Sequence, residues 1–159
     1  MSASPQHPEE ILAELGLELP NPPTPRANYL KAVQTGNLVF VAGHGPMVED
    51  KHSFLGKLGK DVDVDFGQRA AQQVALNRLA SLKAVIGDLD RVTKVVKLLC
   101  FVNSDPRFTE TYKVANGASD LLVKIFGEER GAHARSAVGM ATLPFGISVE
   151  IESIFEIAA

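Results

Sequence analysis

The chain has 159 residues, 45% of them apolar, with 16 Lys plus Arg against 19 Asp plus Glu and a formal net charge of -3. That length suits one domain with a full core, and the near-neutral balance gives no reason for disorder or a polyanionic partner, so nucleic acid is not favoured. No apolar run reaches the roughly 18 residues of a membrane span, and Met1–Pro8 lacks the basic start and apolar block of a secretion signal, so a soluble chain with no membrane partner is expected.

Pro5, Pro8, Pro20, Pro22, Pro23 and Pro25 crowd the start, where only Glu9–Leu17 keeps a helical apolar rhythm. Residues 1–26 therefore read as a proline-rich extension with a short helix, and 27–159 as a single domain without linker or repeat. Tyr29–Val33 and Leu38–Ala42 read as strands joined by the turn-forming Thr35-Gly36-Asn37. Gly43–Val64, rich in Gly, Lys and Asp, reads as a long loop. Asp65, with Gln68 three residues on, is the expected cap of a helix whose Ala75, Leu79, Leu82 and Ile86 recur at helical spacing before Gly87.

Arg91–Asn103 encloses the strand VVKLLCFV, whose Cys100 has no possible internal disulfide partner; a buried, unreactive thiol fits a cytoplasmic location. Asp105-Pro106 reads as the start of a second long helix with the buried stripe Phe108, Tyr112, Ala115, Leu122 and Phe126, ending at Gly127 before a solvated Glu128, Glu129 and Arg130. Asn116-Gly117 lies inside that helix, where a glycine costs about 1 kcal/mol relative to alanine and calls for a packing or site reason. Ser136–Thr142 and Ser148–Ile157 are the last strands, expected to pair as a hairpin across Leu143-Pro144-Phe145-Gly146.

The order β-β-α-β-α-β-β describes an α+β sheet with two long helices on one face. LVFVA and VVKLLCFV are apolar on both alternating faces, which calls for cover on both sides. With no third long helix in the chain, the simplest cover is a second copy, so a homo-oligomer with pockets at its seams is expected.

In the final strand Glu150 and Glu152 alternate with Val149 and Ile151, so the glutamates point away from the helices. A hairpin centred on Pro144-Phe145 would put Gly139 opposite Glu150, with Ala137 and Arg135 further along the same face. The plain reading of such a face is a solvated ion pair. Buried in a seam, a guanidinium would instead grip a carboxylate with two parallel bonds, and a neighbouring glutamate would hold or deprotonate a water.

GNLVFVAGHGP (36–46), Asn77, DRVTKVVKLLCFVN (90–103), HARSAVG (133–139) and LPFGISVEIE (143–152) together resemble the YjgF/RidA family of reactive-intermediate deaminases. The resemblance implies a chorismate mutase-like fold, a homotrimer with a site in each cleft between neighbours, and hydrolysis of small 2-imino or enamine acids to 2-keto acids and ammonia without metal or organic cofactor. By the same resemblance Arg135 matches the carboxylate clamp and Glu150 the residue that places water, while Tyr29, Gly43 and Ala137 match cleft positions more loosely. Three positions depart from the family's pattern: Ala42 replaces a hydroxyl residue, Ala137 stands where some members have Cys, and His133 replaces a proline. The last bears on the shape and charge of the pocket mouth.

His7, His44, His52 and His133 lack metal-ligand spacing; His44, at the end of the second strand where relatives commonly have Gln, is a candidate ligand contact. GHG (43–45) and GKLGK (56–60) match neither the dinucleotide fingerprint nor the phosphate loop. Two other functions compete with deamination. A non-catalytic module would use Arg135 to bind a small carboxylate such as a 2-keto acid. An endoribonuclease, a label many relatives carry, has less support, because the chain has no basic stripe and no paired histidines.

Overall fold

The structure, a computed structural model, describes residues 5–159; the first four residues, part of the Met1–Pro8 stretch, lie outside it. Its elements are α1 (Pro8–Glu14), β1 (Ala32–Thr35), β2 (Leu38–His44), β3 (Met47–Val48), β4 (Lys51–His52), α2 (Val64–Ile86), β5 (Val92–Asn103), α3 (Thr111–Gly131), β6 (Ala134–Met140) and β7 (Val149–Ile157). Five strands form one sheet in the order β1-β2-β7-β5-β6, and β3 with β4 make a two-stranded hairpin. With α2 and α3 against one face, this is the expected α+β architecture.

The core lies between that face and the two helices. Val39, Val95, Leu98, Cys100, Val149, Ile151 and Phe155 are 0% exposed, each contributing roughly 1.5–3 kcal/mol of apolar transfer for a Val- to Phe-sized side chain. From above, α2 supplies the small Ala70, Ala71 and Ala75 and the larger Val74, Leu79 and Leu82. The two helices touch at Gly117, where a Cβ would lie 2.1 Å from the backbone oxygen of Gln68. This close approach is the packing reason for a helical glycine that the sequence left unidentified. Arg78 is 1% exposed in this layer, its guanidinium carbon 5.9 Å from the Phe155 ring, and burial lowers its pKa to about 9.

Several local expectations are corrected. Asp63, not Asp65, caps α2, its Oδ1 accepting from Phe66 N at 2.9 Å. Asp105 caps a turn by accepting from Arg107 N at 2.9 Å, and α3 begins only at Thr111. Tyr112 is 51% exposed rather than core. Gly127 takes φ 77° and interrupts α3 without ending it, and the following Arg130 is tied down, donating to Phe126 O, Val92 O and Asp90. The stretch read as one long loop contains the β3–β4 hairpin.

The largest correction concerns β6 and β7, which are not a hairpin. β6 pairs in parallel with β5, Arg135 beside Leu98 and Ala137 beside Cys100, while β7 pairs antiparallel with both β5 and β2. The physical reason is the crossover: β5, α3 and β6 form a βαβ unit, whose helix carries the chain back to start a parallel strand at the sheet edge. Across this register Arg135 aligns with Leu98 and Ser153, whereas Glu150 aligns with Phe101 and Val138. Arg135 and Glu150 therefore project from opposite faces of the sheet.

Candidate functional site

On the face without helices, Leu30, Val33, Phe40 and Val138 are 68%, 47%, 44% and 41% exposed. Glu150 emerges here beside β2, whose register with β7 shifts between Val41 and His44. That bulge brings Gly43 against the carboxylate: a Cβ on Gly43 would fall 2.2 Å from Glu150 Oε1. Glycine is thus the residue that lets a carboxylate lie on the β2 backbone. Burial is the main cause that raises the Glu150 pKa, with Glu152 adding to it and Lys31 opposing it.

The cleft around Glu150 is about 120 Å³, with walls that include Tyr29, Lys31, Gly43 and His52. Tyr29 lies just before β1 rather than within it, and its hydroxyl accepts a hydrogen bond from Lys31 Nζ at 3.1 Å. His52 stacks on Phe145 with ring centroids 3.8 Å apart, and Phe145 holds φ 61° to present its ring. Asn77 reaches from α2 to donate to Gly45 O and Met47 O, each at 3.0 Å, pinning the chain as it leaves Gly43. The proline-rich segment also contributes, placing Thr24 and Arg26 in the wall.

His44 belongs to the core and not to this cleft. The bulge turns it inward, where Nδ1–H donates to Ala42 O at 2.7 Å and Nε2 accepts from Ser81 Oγ at 2.8 Å. It is 2% exposed, and burial lowers its pKa to about 3, so the ring is neutral. Its expected ligand contact is corrected to a structural role.

Arg135 occupies the edge strand β6 beside α3. Nη1 donates to Asn116 Oδ1 at 2.8 Å and Ser119 Oγ at 3.0 Å, and Nη2 donates to Tyr112 O at 3.2 Å. The Ser119 hydroxyl in turn donates to His133 Nε2 at 2.9 Å, while His133 Nδ1–H donates to Gly131 O at 2.7 Å. Burial, offset in part by the Gly131 bond, lowers the His133 pKa and favours this neutral tautomer. His133 thus supports Ser119, one of the three acceptors that aim the guanidinium. The Ala137 carbonyl accepts from Thr111 Oγ1 at 3.1 Å.

The residues singled out from sequence therefore divide into two groups. Tyr29, Gly43 and Glu150 meet in one cleft; Arg135 and Ala137 lie on the edge strand, with Arg135 on the other face. Sequence reasoning missed Asn116 and Ser119 as supports of Arg135, and Arg26 and Lys31 as cations near Glu150. Asn116 carried a signal in its pairing with the helical Gly117, while Ser119 and the two cations carried none beyond ordinary surface polarity.

A family model described as "YjgF/chorismate_mutase-like, putative endoribonuclease" matches residues 9–154. Protein TCP17 of Trypanosoma cruzi is 47% identical over 146 residues, covering 92% of this chain and 91% of its own. The crystal structure of Atu1372 from Agrobacterium tumefaciens, a protein of unknown function, is similar at a TM-score of 0.89 and 48% identity, with 95% of this chain and 92% of that chain covered. The 2-iminobutanoate/2-iminopropanoate deaminase of Dermatophagoides farinae is 30% identical over 139 residues, 87% of this chain and 92% of its own. On these matches and its fold, this chain belongs to the YjgF/RidA family.

Proposed function

We propose that the protein hydrolyses small 2-imino acids and their enamine tautomers to 2-keto acids and ammonia, at sites completed between copies of the chain. The observation that carries this reading is the division of the two charged groups: Arg135 and Glu150 stand on opposite sheet faces, so they serve one substrate when they come from different subunits. The open face, with its exposed Val33, Phe40 and Val138, offers the surface on which a neighbour would pack. A homotrimer, the assembly implied by the family resemblance, brings one edge strand to each open face.

In such a seam the Arg135 fork, fixed by three acceptors from α3, clamps the substrate carboxylate. Glu150 from the neighbour accepts a proton from water as its oxygen bonds to the imine carbon. Glu150 passes that proton to nitrogen, giving a carbinolamine; a second transfer moves the hydroxyl proton to nitrogen as the C–N bond breaks, so the hydroxyl oxygen becomes the keto oxygen and ammonia leaves. The imine carbon is already electrophilic, so positioning and proton transfer are the main demands, and the raised pKa of Glu150 suits it to both halves of the transfer.

The test is ammonia release from imino acids generated in situ by an amino acid oxidase. Arg135→Ala and Glu150→Gln each abolish the acceleration; co-refolding the two variants in equal amounts restores about a quarter of wild-type activity, the share of random interfaces that pair an intact Arg135 with an intact Glu150. Absence of restoration overturns the shared site. No acceleration by wild type, with 2-keto acid binding that needs Arg135, supports the carboxylate-binding alternative.

A further inference from the structure

The wall of the Glu150 cleft holds a hydrogen bond whose direction is fixed by its chemistry. Lys31 Nζ and the Tyr29 hydroxyl oxygen are 3.1 Å apart, and an ammonium has donors but no acceptor, so Lys31 donates and the phenol oxygen accepts. The hydroxyl's own proton therefore points away from Lys31. Among the described residues it is given to no protein group, although Gly43 and Glu150 line the same cleft.

The backbone holds both side chains in place. Lys31 immediately precedes β1, and its carbonyl accepts from Ala42 N at 2.9 Å, which ties it to β2 one residue before Gly43. Tyr29 N donates to Ala27 O at 2.9 Å in a tight bend, and Lys31 Nζ lies 5.3 Å from the centroid of the Tyr29 ring, so the ammonium holds the ring as well as its oxygen. The arrangement is compatible with an ionised Glu150, because the Lys31 cation opposes the effect of burial on that carboxyl group. A free O–H in the same cleft as a carboxylate base can hold a water from two sides. The water donates to Glu150 and accepts from Tyr29, which leaves a lone pair for the imine carbon. The same O–H then faces the oxygen that becomes the keto oxygen, where negative charge gathers as its proton leaves.

We propose that Lys31 is a positioning residue of the reaction: by donating to the Tyr29 oxygen it turns the hydroxyl proton into the cleft, onto the oxygen of the attacking water and then of the product. This rests on the deaminase reading and adds to it the group that orients the reacting oxygen.

The experiment is steady-state kinetics on the imine generated in situ from alanine, for wild type, Tyr29→Phe, Lys31→Met and the double variant. It is run at a pH above the titration of Glu150, where loss of the Lys31 charge no longer changes the ionisation of that carboxylate. Tyr29→Phe and Lys31→Met should each lower kcat about tenfold with little change in KM, and the double variant should be no slower than Tyr29→Phe alone, because Lys31 acts through the hydroxyl. Losses that multiply, or full turnover in Lys31→Met, overturn the assignment. No acceleration of any imine by wild type sinks the deaminase reading itself, and calorimetry then judges the hydroxyl alone. Pyruvate bound more tightly than propionate, with that preference lost to the same extent in Tyr29→Phe and in Lys31→Met of unchanged circular dichroism, supports the assignment; no preference, or one that Lys31→Met leaves intact, overturns it.

Discussion

The two faces of the five-stranded sheet are written by the same strands yet reach different ends. Val149, Ile151 and Phe155 on one side of β7 are fully buried under α2 and α3, while Glu150, Glu152 and Ile154 on the other remain partly accessible beside an exposed Phe40. The closed face is finished within one chain by packing. The open face stays exposed, and there the strand carries carboxylates in place of the aliphatic residues its alternation would admit. Along β7, burial and exposed carboxylates are thus separated by a period of two residues, and substitutions on its two faces should fail in different ways.

The largest effect is expected at Glu150. Glu150→Gln should lower kcat by about 10²- to 10⁴-fold while leaving thermal unfolding unchanged. On the proposed mechanism the ionised carboxylate takes the proton, so activity should rise with pH through a limb displaced upward from the ordinary glutamate range by burial, and that limb should vanish in the variant. A closed-face change reverses the pattern: Leu98→Ala should cost about 2–5 kcal/mol in chemical denaturation, with residual turnover per folded molecule near normal. Phe40→Asp is the matching open-face change; it should leave the monomer folded but shift sedimentation from oligomer to monomer and abolish turnover with it.

A smaller, pH-dependent effect is expected at His44. Burial keeps it neutral down to about pH 3, whereas the unfolded side chain takes up a proton near pH 6.5, so unfolding binds a proton between these limits. Stability should therefore fall as pH is lowered through that window, by up to about 1.4 kcal/mol per unit, and His44→Gln should flatten this slope in acid titrations of unfolding. The smallest stability change belongs to Gly43→Ala. The clash is with the mobile end of Glu150, so folding should barely change, while the displaced carboxylate should lower kcat by about tenfold, read by steady-state kinetics.

The alternation along β7 was enough to place Glu150 and Glu152 away from the helices, and the periodicity before Gly87 was enough to find α2. What alternation cannot reveal is which strand lies next to which. Leu143–Gly146 reads as a hairpin turn because Pro and Gly signal a reversal, yet β5 stands between β6 and β7. The parallel pairing of β6 depends on α3 as a crossover, a contact between residues distant in sequence. One consequence is that Arg135 moved from the predicted face to the opposite one. The cap of α2 was ambiguous for a more local reason: Asp63 and Asp65 both precede apolar residues, and only backbone geometry distinguishes them. Gly117 could be flagged as anomalous from sequence, but the helix it meets could not.

Cys100 gives the molecule a natural clock. It is the chain's single thiol, lies fully buried in mid-sheet on β5, and burial raises its pKa to about 12. A thiol reagent can modify it only after the helices lift from the sheet, and no second sulfhydryl confuses the signal. The labelling rate therefore times how often the central strand is uncovered. Measured across protein concentrations, it reports whether association of copies slows an opening that takes place on the opposite side of the sheet.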